Sequence, residues 1–137
     1  MEQPTHFLNV DLELESPTEM SPLIDALARR AFVLQHDSSG TTHRATIELN
    51  REPRDPDAAL EAFGKLVRAL PLSAREAWNQ AAVRDFNIGV QAGTTPPHFE
   101  LTLAPGALAV ASELRARIVL TVYGSSEQVF EERGENP

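Results

Sequence analysis

The chain has 137 residues, 42% of them hydrophobic, with no cysteine and a net charge of −8. That length and apolar share suit one domain with a single core that needs no disulfide or metal staple. The missing cysteines exclude disulfides, thiol catalysis and cysteine-based zinc sites. The negative balance opposes general binding to nucleic acid or to an anionic membrane surface, and leaves room for a basic protein partner.

Met1 to Phe7 carries no basic segment followed by an apolar run, and the longest apolar stretch, Ile118 to Val122, is broken by Thr121. Neither pattern is a secretory signal or a membrane span, so a cytoplasmic protein is expected. Lys65 is the only lysine beside many arginines, alanines and prolines, which suggests a GC-rich bacterial source.

In chain order, His6 to Glu15 alternates, with Leu8, Val10, Leu12 and Leu14 on one side and Asn9, Asp11, Glu13 and Glu15 on the other. Period two with one polar face predicts a half-covered strand. Ser16-Pro17-Thr18-Glu19 has capping-box spacing, and Ser21-Pro22 offers a second helix start. Met20, Leu23, Ile24, Leu27 and Ala31 keep helical spacing, so a helix is predicted to about Arg30. Phe32 to His36 and His43 to Asn50 flank the turn composition Asp37 to Thr42 and predict a hairpin with Ala45, Ile47 and Leu49 inward.

Arg51 to Arg54 reads as a loop. Asp55 as N-cap and Pro56 open a helix with the stripe Leu60, Phe63, Leu66, Val67 and Leu70, ended by Pro71. Ser73 and Glu76 form another capping box, for a helix carrying Ala77, Trp78, Ala81 and Ala82. Phe86, Ile88 and Val90 predict a fourth strand, Gly93 to Pro97 a loop, and Phe99, Leu101 and Leu103 a fifth strand. A short helix from Pro105 to about Leu114 follows, then a last strand over Arg115 to Tyr123. Ser125 onward is polar and reads as a flexible tail, giving one domain over 1–124 and a tail over 125–137.

Strands that alternate are covered on one face only, because strands buried on both faces read as continuous apolar runs. The expected fold is therefore α+β: a two-layer sandwich in which a mainly antiparallel sheet of about six strands carries helices on one face and leaves the other open. Outward positions place six carboxylates (Asp11, Glu13, Glu15, Glu48, Asp85, Glu100) against Arg44 and Arg117 on that open face. An acidic sheet face suits a basic protein, with Asp11, Glu13, Glu15, Glu48, Glu100 and Tyr123 as partner-binding candidates; tyrosine favours interface centres. A plain solvated face and a homodimer across the same face are the competing readings.

The catalytic motifs are missing. There is no Gly-x-Ser-x-Gly elbow, no phosphate loop and no dinucleotide fingerprint. The outward carboxylates lack the burial that general acid–base work requires. His36, Asp37 and His43 flank one turn without a recognised ligand spacing, so no metal and no cofactor is expected. The only tryptophan lies close to Arg84 and Asp85 at a helix-to-strand junction; Trp78, Arg84 and Asp85 are candidates for a small polar cleft, the alternative site for a ligand or a small enzyme.

The stretch from His98-Phe-Glu-Leu-Thr-Leu-Ala-Pro-Gly-Ala-Leu through Ile118-Val-Leu-Thr-Val-Tyr-Gly124 resembles the C-terminal half of small bacterial domains of unknown function. Similar layouts occur among predicted immunity proteins of toxin systems. The resemblance covers about residues 85–124 and rests on core positions. It implies fold more than function and carries over no catalytic residue. Together these readings favour a non-enzymatic binding protein.

Overall fold

The computed structural model describes residues 3–95 and 97–124. Strand β1 spans His6–Ser16, helix α1 Ser21–Ala28, strands β2 and β3 Ala31–Ser39 and Thr42–Leu49, and helices α2 and α3 Pro56–Arg68 and Leu72–Gln80. Strand β4 spans Val83–Gln91, helix α4 Pro105–Glu113 and strand β5 Arg117–Tyr123. The five strands form one mixed sheet in the order β2-β3-β1-β4-β5. All neighbours are antiparallel except β4 and β5, which run parallel and are joined through α4, the long crossover that a parallel pair requires.

From Val10 onward the period-two pattern of β1 translates into burial; Leu8, expected on the same side, is exposed, and Phe7 packs on the core instead, with the register shifting between Phe7 and Asn9. Val10, Leu12, Leu14 and Ser16 are buried, while the intervening Asn9, Asp11, Glu13 and Glu15 stay half-exposed. The inward residues of β1, β3 and β4 join Leu23, Leu27, Leu60, Phe63 and Trp78 of the helices in one core. Phe63 and Phe86 meet with ring centroids 5.5 Å apart, a tilted aromatic contact that ties α2 to β4. Transfer of such side chains from water, about 1.5–3 kcal/mol each, is the main force holding helices to sheet.

Local signals decide the element ends. Asp55 caps α2 by accepting from the Ala58 N–H at 2.8 Å. The β2–β3 hairpin closes through a two-residue loop, in which Gly40 takes φ +63°, a left-handed conformation that glycine adopts without a Cβ clash. The Ser16 capping box is not used. Ser16 is the buried last residue of β1, its hydroxyl accepts from Thr18 N–H at 3.2 Å, and α1 starts at the second candidate site instead. There Glu19 accepts from the Ser21 N–H at 2.6 Å and from its hydroxyl. Ser73 likewise caps nothing, because α3 begins one residue earlier behind Pro71.

Among the described residues the sheet has five strands rather than about six. Residues 97–104 form no ladder, although Leu101 and Leu103 pack against the core. The alternation at Phe99, Leu101 and Leu103 records an extended segment lying on the core without a strand beside it. The expected tail at 125–137 lies outside the described residues. Among the described residues no helix is long and apolar enough to cross a membrane.

At the far end of β1, Thr5 N–H donates to Thr95 O at 3.3 Å and Thr94 N–H to Gln3 O at 2.9 Å. Gly93 permits this crossing, since a Cβ there would lie 2.0 Å from the Gln3 carbonyl oxygen.

Candidate functional site

The strand order puts β1 between β3 and β4, so the acidic residues of β1 acquire neighbours on both sides. Asp11 stands opposite Glu48 on β3 and Asn87 on β4; Glu13 stands opposite Thr46 and Asp85; Glu15 stands opposite Arg44 and Val83. Directly opposed residues have Cβ atoms roughly 5 Å apart. Sequence alternation alone could not place β1 beside β3, and that adjacency is what concentrates the charge.

Two of the candidate carboxylates are neutralised. Glu15 accepts from Arg44 Nε at 2.8 Å. Asp85, only 6% exposed, accepts from Arg117 through a two-pronged contact, Nε to Oδ1 at 2.7 Å and Nη2 to Oδ2 at 2.8 Å. Planar forks of this kind are the strong form of an ion pair. The carboxylate holds the Arg117 guanidinium pKa above its ordinary value.

Asp11, Glu13 and Glu48 have no ion-pair partner among the described residues. Their polar partners are amides: Asn9 Nδ2 donates to Asp11 Oδ1 at 3.0 Å, and Asn87 Nδ2 to Glu13 Oε1 at 3.2 Å. Asn87 in turn accepts from Thr121 at 2.8 Å, so a hydrogen-bonded line runs from β5 across β4 to β1. Burial pushes the Asp11 carboxyl pKa up to about 6, and repulsion from Glu48, Glu13 and Glu52 adds to the rise. Burial first, and neighbouring negative charge after it, thus make one member of the group resist ionisation.

The row through Asp11 reads Phe32, Glu48, Asp11, Asn87, Val119 across all five strands. Phe32 is 55% exposed at its β2 end. Sequence reading assigned Phe32 no face, and its outward direction follows only from pairing with Glu48. Tyr123, 51% exposed, sits at the opposite edge of the sheet, on β5, with its ring beside Gly89. Glu100 belongs to the extended segment outside the sheet and does not join the face.

The other three candidates separate. Trp78 and Arg84 come together: the guanidinium carbon lies 5.9 Å from the indole centroid. Arg84 donates to the carbonyls of Trp78 (3.0 Å), Ala81 (2.7 Å) and Arg115 (3.2 Å), and Trp78 Nε1 donates to Leu114 O at 3.3 Å. Burial, with Arg115 nearby, lowers the Arg84 pKa. Asp85 points from the opposite side of β4 to Arg117 and takes no part in this junction. A concavity of about 430 Å³ does lie beside the junction, lined by Arg75, Asn79, Arg84, Glu113 and Arg115. Another, of about 470 Å³ and more apolar, lies where Leu120 and Val122 meet Phe99 and Leu101. No group of three or more metal-ligating side chains occurs among the described residues.

Comparison with family models, curated proteins and solved structures returns no match. No residue thus takes a role from a relative, and the functional reading rests on geometry and charge.

Proposed function

We propose that this chain is a non-enzymatic protein-binding domain of the bacterial cytoplasm, a two-layer sandwich whose helix-free sheet face takes a basic protein. The observation that carries the reading is the trio Asp11, Glu13 and Glu48, drawn together by β1–β3 pairing and without a cation among the described residues. An arginine or lysine from a partner would neutralise charge that the chain itself leaves uncompensated, and the field of the acidic face would speed encounter. Phe32, exposed at one end of the same row, supplies the apolar contact that charge alone does not. The resemblance of residues 85–124 to immunity-type domains favours a basic toxin as that partner.

Capture from a native lysate tests the reading when wild type is compared with a Glu13→Lys/Glu48→Lys variant of unchanged fold. A basic protein retained by the wild type and lost by the variant is the expected result. Recovery of no basic protein, or equal retention by both, counts against it.

A second reading, a ligand cleft beside Trp78, is favoured by the concavity of about 430 Å³ with its three arginines. It is the weaker one, because Arg84 spends its donors on backbone carbonyls and the helix ends supplying those carbonyls repel an anion.

A further inference from the structure

We propose that two copies of this chain join through the free edge of β5, pairing β5 with β5 antiparallel to make one continuous ten-stranded sheet. β5 pairs with β4 on one side and with no other strand among the described residues. An unpaired edge presents a row of N–H and C=O groups, and native edges are normally blunted by charge, proline or a bulge.

The two edges of this sheet differ in that respect. β2, at one edge, has a register break between Val33 and Gln35, and its second half is the polar run Gln35-His36-Asp37-Ser38-Ser39. β5 pairs with β4 in unbroken register and contains no proline, lysine or carboxylate. Its single charge, Arg117, is drawn back onto Asp85 of β4. β5 exposes Leu120 and Val122, each 56%, and Tyr123, 51%, with no polar run within the strand, whereas β2 exposes Phe32 and Leu34 only ahead of its polar half.

The strand is self-complementary about Leu120. An antiparallel two-fold pair centred there sets Leu120 against Leu120, Ile118 against Val122, Val119 against Thr121 and Arg117 against Tyr123. Directly opposed residues share a face. Ile118, Leu120 and Val122 of both copies then form one apolar row on the side of the groove that Phe99 and Leu101 line. No two like charges meet.

Charge also favours this edge over the open face as the place where a second copy joins. The trio Asp11, Glu13 and Glu48 lies on β1 and β3. Across the joined edges, β1 of one copy is five interstrand steps from β1 of the other, roughly 24 Å at the usual spacing. That is about three screening lengths at physiological salt, so two acidic chains meet there with little repulsion. Stacking their open faces would bring Asp11, Glu13 and Glu48 of both copies within a single screening length. A basic partner, for its part, finds no carboxylate on β5.

Sedimentation equilibrium of the full chain from micromolar to several hundred micromolar tests the proposal. Wild type should reach twice the monomer mass. Leu120→Lys, which sets two lysines together at the two-fold centre of a half-exposed site, should raise the dimer dissociation constant at least tenfold; Val122→Lys serves the same purpose should the first variant lose its circular dichroism spectrum. Since the chain has no cysteine, Leu120→Cys should give a disulfide-linked dimer on mild oxidation, and Leu108→Cys on the exposed side of α4 should not. A wild type that stays monomeric throughout, as it would if another segment or only a foreign peptide occupied the edge, overturns the proposal. So does a dimer that survives both lysine variants. The edge lysines should leave capture of a basic partner unchanged, and Glu13→Lys/Glu48→Lys should leave the dimer mass unchanged, so the two proposals fail separately.

Discussion

Asp11 shows most directly how a single residue reports its surroundings. Its carboxyl is held at about pKa 6 against an unfolded value of 3.8, by burial first and then by Glu48, Glu13 and Glu52. The folded value lies above the unfolded one, so the fold binds the proton more tightly than the unfolded chain does. Its contribution to stability is full below about pH 4 and is lost as pH rises through about 6. At pH 7 the ionised group is a cost. Two pKa units correspond to about 3 kcal/mol, and solvent screening of a half-exposed side chain reduces this to on the order of 1 kcal/mol. Asp11→Asn removes the ionisation and keeps an oxygen to accept from Asn9. It should therefore stabilise the protein at pH 7 by that amount. Urea denaturation between pH 5 and pH 7 checks this: wild type should gain stability on acidification over that range, and the variant should lose most of that gain. A variant less stable than wild type at pH 7 would remove the argument for crowded charge.

At the scale of elements, Arg84 is a clamp. Its guanidinium reaches two carbonyls at the end of α3 and one just past the end of α4, while its own strand, β4, lies between them. Hydrogen bonds from charged donors contribute about 1.5–3 kcal/mol, and those of Arg84 are part-buried or exposed, so their joint contribution lies well below the sum of three. Arg84→Met keeps the apolar stem and removes every donor, so stability should fall by about 2 kcal/mol. The denaturation midpoint should drop with an unchanged slope, which marks lost stability rather than a changed native or unfolded ensemble. Sequence reading found Arg84 and Trp78 together but added Asp85 to them, because neighbours in sequence look like neighbours in space. A strand sends successive side chains to opposite faces, and Asp85 went to Arg117. The same reading was sound where the signal is local and has one answer. Asp55 caps its helix, and the alternation of β1 matches its burial from Val10 to Ser16 but not at Leu8. It was unsound where the pattern has two answers. The capping spacing at Ser16 competed with a strand that continued to Ser16, and the alternation at Phe99 to Leu103 fits any extended segment on an apolar surface. The β1–β3 adjacency that brings Asp11 to Glu48 had no local signal, because it depends on pairing between segments about 35 residues apart.

Over the whole molecule, the acidic face and the bare edge make opposite demands on charge, and pH separates them. A cationic partner on the face favours the ionised form of Asp11, so binding lowers its pKa and releases a proton. With a free value of about 6, Asp11 is mostly ionised at pH 7 and mostly protonated at pH 5. The groups around it are Glu48 and Thr46 on β3, Glu13 and Asn9 on β1, Asn87 on β4, and Glu52 beyond β3; none of them is a cation that could take over the partner's role. If the complex holds the Asp11 pKa well below 5, affinity for the basic partner should fall about tenfold between pH 7 and pH 5, the most that one group with a free value of about 6 allows over that interval. Asp11→Asn should bind more weakly at pH 7 and show a nearly flat profile. Titration calorimetry in two buffers of different ionisation enthalpy at pH 6 should detect the released proton with wild type and not with the variant. The joined β5 strands carry no carboxylate and no histidine, and His98, on the wall of the adjoining groove, lies outside the ladder. The dimer constant should therefore stay level over the interval in which partner binding falls. A dimer that strengthened on acidification would instead place the carboxylates of both copies against each other, which is the geometry of stacked faces and not of joined edges.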